Sequence, residues 1–395
     1  MIVGVPTETF PGEHRVALIP SAIPILKKQG FNVVIEKGAG NFAGFSDQAY
    51  QDSGATLSDK RPEIFKSADI IVQVRGLGTN PDAGSGDLQL MRPNQTVIGF
   101  LEPLRALVEA ENLADAGVTS FAIEFVPRIA RAQTMDALTS MATVTGYKAV
   151  ILAATSLGKL FPMLVTAAGT LTPARVFIVG AGVAGLQAVA TARRLGAIVQ
   201  VYDIRSASKG EVESLGARFV ELPLGKEGTE EDDGYANKMD DEFYERQREL
   251  MGRVISKSDV VITTAAVPGA KAPTLLTDEM VKGMPKGSVI VDLAAETGGN
   301  CVLTVPGETI MKHGVTIIGE TNIPATMPNH ASQMFSKNMV AFLLHVTKDG
   351  SLDLDIEDDI IRETLLTHNG KVVNAKTGRL LGLDEFTNPT KEETS

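Results

Sequence analysis

RVFIVGAGVAGLQAVATARRLGAIVQVYDIR, residues 175–205, decides the fold of this chain. A β-branched run ends in glycine, an alanine-rich amphipathic stretch follows, and a second apolar run closes on Asp203. The pattern predicts strand, turn, helix and strand, with Gly196 as the helix C-cap. Gly180, Gly182 and Gly185 hold the turn. The first permits a tight bend, the second lets backbone approach a pyrophosphate, and the third allows the helix to pack on the strand. A helix starting at Val183 and Ala184 directs unpaired N–H groups and a positive dipole end at phosphate. Asp203, eighteen residues past Gly185, is placed to accept hydrogen bonds from an adenosine ribose, which selects NAD(H) over NADP(H). Arg205 is of the type that takes a 2′-phosphate, but a carboxylate at 203 repels that group. The alternatives are a glycine turn without a ligand and, for residues 176–192, a short membrane span. That stretch has seventeen uncharged residues, which is the short limit for spanning.

The same alternation runs outward in both directions. Apolar runs such as DIIVQV, TVIGF, DVVITTA and SVIVDLA are separated by helical stretches. Near-continuous apolar strands between helices predict parallel sheets covered on both faces. A length of 395 residues exceeds one ordinary core. The expected architecture is α/β: two doubly wound, Rossmann-like domains with a cleft between them, joined by long helices. One long helix starts near Asp136 and a second covers 332–346. The expected division is 1–136 plus 328–395 for the first domain and 137–327 for the dinucleotide-binding one. Two Gly-rich, charged segments, 76–87 and 223–242, read as mobile loops or lids.

Composition removes several classes of function. A net charge of −11 and a pI near 5.1 argue against nucleic acid, which needs a basic face. The single cysteine, Cys301, rules out an intrachain disulfide and fits a reducing compartment. With no basic neighbour in sequence it reads as a small buried side chain. No secretory signal is visible at the N-terminus. His14, His313, His330, His345 and His368 show no metal-ligand spacing, so no metal is expected.

A polar loop, PRIARAQTMD at 127–136, interrupts two hydrophobic stretches. It places a guanidinium, an amide and a carboxylate within a few residues, and Asp136 also suits the N-cap of the following helix. Together with GVPTETFPGEHRVALIP (4–20), IVGAGVAGLQAVATARRLGAIVQVYD (178–203) and VDLAAETGGNC (291–301), this loop resembles the alanine dehydrogenase/transhydrogenase family. The resemblance runs from residue 2 to about 345. Within it, PRIARAQTMDALTSMATVTGYKAV and DDGYANKMDDEF look like the nucleotide-contacting and mobile loops of the NAD(H)-binding component of proton-translocating transhydrogenase. That likeness implies catalytic positioning by Arg128, Gln133 and Asp136. The implied cofactor contacts are these three with Gly180, Gly182, Val183, Ala184, Gly185, Asp203, Ile204, Arg205, Gly234, Tyr235, Gln247 and Ala266. It further implies NADP(H) on a partner component, a membrane-spanning component, a homodimer, and a cytoplasmic location on the inner face of the cell membrane.

The residues separate the two branches of the family. Alanine dehydrogenases carry a substrate lysine and a catalytic histidine, whereas the corresponding places here read VQVRG (72–76) and GFLEPL (99–104). Oxidising an amino acid needs a proton acceptor. Hydride transfer between two nicotinamides needs only placement and exclusion of water. A divergent NAD-dependent alanine dehydrogenase is the alternative enzyme, and an NAD-sensing module the alternative without catalysis. Arg15, shared by both branches, reads more readily as half of a structural ion pair than as a catalyst.

Overall fold

The computed structural model describes residues 1–221, 241–348 and 350–383. The chain divides into two compact units, Met1–Met141 with Ala325–Ser395, and Ala142–Pro324. The sequence reading sets these boundaries at 136/137 and 327/328. Gly234 and Tyr235, with most of the segment 223–242, lie outside the described residues.

The first unit is built on an eight-stranded sheet. From one edge its strands are Lys371–Val372, Leu365–His368, Thr119–Ala122, Thr96–Phe100, Ile70–Arg75, Ile2–Val5, Asn32–Glu36 and Thr56–Ser58. Neighbours run parallel except around Leu365–His368, which is antiparallel to both sides. Ile70, Ile71, Val72, Val97 and Ile98 are fully buried, as expected of strands covered on both faces. The helix Pro328–His345 packs Phe335 against Phe100 and Phe342 against Phe121, with ring centroids 5.6 Å apart in both pairs. Full burial of each phenyl group stabilises this layer by about 1.5–3 kcal/mol.

The second unit carries a seven-stranded sheet, in the order Arg218–Phe219, Ile198–Tyr202, Arg175–Val179, Val260–Thr263, Val289–Asp292, Val315–Ile318 and Thr309–Lys312. Only the last pair, among the described strands, is antiparallel. Counting outward from Arg175–Val179, the order reverses direction at that strand. Such a switch point leaves a crevice beyond the carboxyl ends of the strands, where nucleotides bind in this architecture. Side-chain alternation separates the two faces of the sheet. Val176 and Ile178 pack with Ala188, Val189 and Ala192 and with Ala149, Val150 and Ala153. Phe177 and Val179 pack with Met251, Ile255, Leu276 and Val281.

Residues 176–192 form the end of a strand and most of the twelve-residue helix Val183–Arg194, so they do not make a spanning helix. Among the described residues one helix, Ala137–Ser156, is long and apolar enough to cross a membrane; Ala149, Val150 and Ala153 along it are fully buried in the second unit's core. The segment 76–87 is not the open loop its composition suggests. Leu77–Thr79 forms a 3-10 turn and Pro81–Leu88 an α-helix. Pro81 starts that helix with φ already set. Near its other end Asp87 accepts two bonds of 2.7 Å from Arg61 and one of 2.9 Å from Gln73. Charge in this stretch fastens it to other elements, which composition alone does not reveal.

Candidate functional site

In the second unit, the strand Arg175–Val179 ends at Gly180, whose φ of 106° is open to glycine and strained for other residues. Gly180 N–H donates to the Tyr202 carbonyl at 2.8 Å, tying the turn to the neighbouring strand. A Cβ at Gly185 would come within 1.9 Å of the Gly180 carbonyl oxygen, so the helix can lie this close only without one. At Gly182 the same construction meets nothing within 4 Å. The open side of Gly182 faces free space at the start of the helix, and no side chain caps that end. The first intrahelical bond is Leu186 N–H to the Gly182 carbonyl at 2.8 Å. The N–H groups of Val183, Ala184 and Gly185 precede it and are of the kind that bind pyrophosphate.

Asp203 stands directly after the strand Ile198–Tyr202 and is 9% exposed. Its Oδ2 accepts from Ala181 N–H at 2.6 Å and its Oδ1 from Arg205 N–H at 2.8 Å. Arg205 also turns back onto it, Nε to Oδ1 and Nη2 to Oδ2, each at 3.1 Å. The carboxylate therefore links the glycine turn to the next strand end and carries a guanidinium on its outer side. Ile204 is half-buried between these two residues. Ala266 is exposed, just past the strand Val260–Thr263, whose Thr263 pairs with Val179. Gln247 is elsewhere: it is 3% exposed, with Nε2 donating to the Tyr202 hydroxyl at 2.9 Å and no partner for Oε1 among the described residues.

In the first unit, PRIARAQTMD leaves the turn Ile123–Phe125 and forms the 3-10 helix Ala130–Met135. Ala132 and Met135 are buried, while Arg128 and Gln133 are exposed. Asp136 caps the following helix: Oδ1 accepts from Thr139 N–H at 2.8 Å and Oδ2 from the Thr139 hydroxyl at 2.6 Å. Arg131 pairs with Asp358 at 2.5 Å, and Asp358 also meets His345 at 3.2 Å. These contacts draw the Asp358 carboxyl down to about 2 against the opposing effect of burial.

The places that would hold a lysine and a histidine in an amino-acid dehydrogenase are occupied by other structures. Arg15 makes a two-pronged pair with Glu13, at 2.7 and 2.6 Å, with both side chains buried. The same Glu13 lies 3.4 Å from Arg75, and the Arg75 guanidinium sits over the Phe10 ring, 4.2 Å from its centroid. Glu8 accepts from Val74 and Arg75 N–H at 2.6 and 3.1 Å. Desolvation, helped by Glu13, pushes its carboxyl up to about 8. At GFLEPL, Glu124 holds Leu101 and Glu102 N–H at 2.8 and 2.6 Å, and burial raises this carboxyl to about 7. Cys301 is buried and its thiol is pushed up by desolvation, the reverse of an activated nucleophile. No group of three metal-ligating side chains occurs among the described residues.

Some positioning residues escape a reading by motif. Thr264 stands so near Gly180 that a Cβ there would meet its hydroxyl at 2.2 Å. Asn300, fully buried, braces the segment leading to Ala266: its Nδ2 donates to the carbonyls of Ala265 and Pro273 at 2.8 and 2.9 Å. Gly146 lets the helix Ala137–Ser156 approach the Ala184 carbonyl, which a Cβ would meet at 2.1 Å. No sequence spacing announces any of these, because each acts across the fold.

Comparison with known proteins places this geometry. Residues 4–145 match the model of the alanine dehydrogenase/PNT N-terminal domain, and residues 149–375 that of the alanine dehydrogenase/PNT C-terminal domain. The first portion of NAD(P) transhydrogenase subunit alpha from Rhodospirillum rubrum, a chain of its own, is 42% identical over 383 residues, covering 96% of this chain and all of that one. The crystal structure of a transhydrogenase from Sinorhizobium meliloti superposes with a TM-score of 0.81 at 39% identity, over 95% of this chain and 99% of that one. Alanine dehydrogenase of Bacillus subtilis is more distant, 28% identical over 394 residues, with 97% and 96% covered.

Proposed function

This chain belongs to the alanine dehydrogenase/PNT family, on its transhydrogenase α-subunit branch, and from that premise we propose that it binds NAD(H) and exchanges hydride with NADP(H) held by a partner component. The observation that carries the reading is the glycine turn. Three N–H groups open the uncapped helix at Val183, the side of Gly182 is empty, and Asp203 is fixed at the neighbouring strand end. The first two suit a pyrophosphate and the third an adenosine ribose. The nicotinamide supplies the hydride chemistry when bound. A hydride carries both electrons, so the chain has to place a ring and exclude water rather than move a proton.

Arg128 and Gln133 are the exposed groups offered for that placement. Asp136 contributes by capping the helix that follows, and turns toward a ribose only by giving up Thr139. The locked arrangement of Arg75 with Glu13 and of Leu101–Glu102 with Glu124 supports transhydrogenation over alanine oxidation, because neither place offers a general base. Coupling to proton translocation belongs to a membrane-spanning component, which would hold this chain at the inner face of the cell membrane. A homodimer is supported by the hairpin Leu164–Thr166/Gly169–Leu171, where Leu164, Val165 and Leu171 are exposed at 41%, 73% and 51%; apolar surface of this kind favours a protein partner.

Replacing Arg128 or Gln133 with Ala tests the loop. Hydride transfer at saturating NADH should fall ~10- to 100-fold with NADH affinity nearly kept, since about 1 Å of misplacement costs that much. Wild-type rates in both variants would remove the loop from the reaction.

A further inference from the structure

The long helix Pro328–His345 buries a mostly apolar face, with Phe335, Met339, Phe342 and Leu343 each 1% exposed or less. Asn338 interrupts that face and is itself 6% exposed. Its Nδ2 donates to the Thr134 carbonyl at 2.8 Å, and its Oδ1 finds no partner among the described residues. The amide orientation follows from its neighbour, because a carbonyl oxygen accepts and so must face the nitrogen. An apolar side chain would spare the helix a desolvated, unpaired acceptor. Asparagine here costs stability, and what it gains is one bond to one peptide.

That peptide lies between Gln133 and Asp136. Ala132 and Met135 are buried to either side of the Gln133–Thr134 pair, and Asp136 N–H reaches back to the Gln133 carbonyl at 3.4 Å. Gln133 itself is exposed, so its side chain projects from a backbone fastened on both flanks. Arg131, tied to Asp358, anchors the same 3-10 helix from its other side. We propose that Asn338 is a positioning residue: by fixing the Thr134 carbonyl it holds the backbone from which Gln133 meets the nicotinamide nucleotide. This rests on the reading of Gln133 given above.

Asn338→Leu keeps the volume and removes the donor, and Asn338→Ser is a smaller change should the leucine variant fold poorly. In nucleotide-free protein, amide exchange across 130–136 should rise about tenfold, with the strand Thr119–Ala122 unaffected. With the NADP(H)-binding component present, hydride transfer at saturating NADH should fall about tenfold while the NADH Kd stays within about twofold. A double-mutant cycle separates positioning from general loosening. In a Gln133→Ala background the second substitution should cost nothing further, since the group it positions is gone. An equal loss in both backgrounds, or unchanged exchange across 130–136, would overturn the proposal. Wild-type transfer by Asn338→Leu beside a slowed Gln133→Ala would overturn it alone; full activity in Gln133→Ala would take away the reading beneath it as well.

Discussion

The guanidinium of Arg205 lies along the carboxylate of Asp203, with Nε–Oδ1 and Nη2–Oδ2 both at 3.1 Å. With the N–H groups of Ala181 and Arg205 also on these oxygens, the four acceptor positions of the carboxylate are all engaged. An adenosine ribose can bond to Asp203 only by displacing the Arg205 side chain, whereas a 2′-phosphate would meet that side chain as a cation. Arg205 therefore narrows the preference that Asp203 sets.

Arg205→Ala should widen selectivity for NADH over NADPH by about tenfold, equivalent to ~1.4 kcal/mol. The change should come from weaker NADPH binding, with NADH affinity kept or improved. Fluorescence titration of both reduced nucleotides measures it, and a variant that binds NADPH as well as the wild type would show that Arg205 has no part in the choice.

Two glycines three residues apart should fail in different ways. Gly185→Ala brings a methyl group to 1.9 Å from the Gly180 carbonyl, so the helix must retreat. Overpacking of this sort typically costs about 1–3 kcal/mol, and the melting temperature should drop. Gly182→Ala meets nothing within 4 Å and should melt like the wild type, yet lose NADH affinity by an order of magnitude or more, roughly 1.4 kcal/mol. Unimpaired NADH binding by a folded Gly182→Ala variant would mean that the pyrophosphate does not approach this turn.

The glycine spacing, the strand before it and Asp203 after it are local in sequence, so turn, helix and switch point were legible from one stretch. Loop 76–87 misled, because its charges are answered by Arg61 and Gln73 from other elements, and composition carries no record of partners. The engagement of Asp203 by Arg205 was hidden for a related reason: two residues of opposite charge at i and i+2 need not touch until a strand end turns them together. Asn338 and Asn300 carry no motif, since each acts on a carbonyl far away in the chain.

Glu8 gives the first unit a pH dependence. Its carboxyl is raised from 4.5 to about 8 by desolvation and by Glu13, so the folded state keeps a proton that the unfolded chain releases. Stability is then fully present below about pH 4.5 and declines as the pH rises toward 8. Residual exposure of Glu8 moderates the loss to about 1 kcal/mol. Denaturant melts at pH 5 and pH 8 should show this decline in the wild type and a smaller one in Glu8→Gln. Equal slopes in the two proteins would assign the pH dependence to other groups.

Hydride exchange between nucleotides and oxidation of an amino acid make opposite demands on this chain, and one paired assay on the purified protein separates them. It follows L-alanine oxidation with NAD, and reduction of the acetylpyridine analogue of NAD by NADPH, with and without the NADP(H)-binding component. Arg75 is held by Glu13 and Phe10, leaving no general base where alanine would lose its protons, a deficit worth ~100- to 10,000-fold. Alanine turnover should be absent, and nucleotide exchange should appear only when the partner is added. Robust alanine oxidation by the chain alone, with no exchange on adding the partner, would contradict the transhydrogenase function proposed for it.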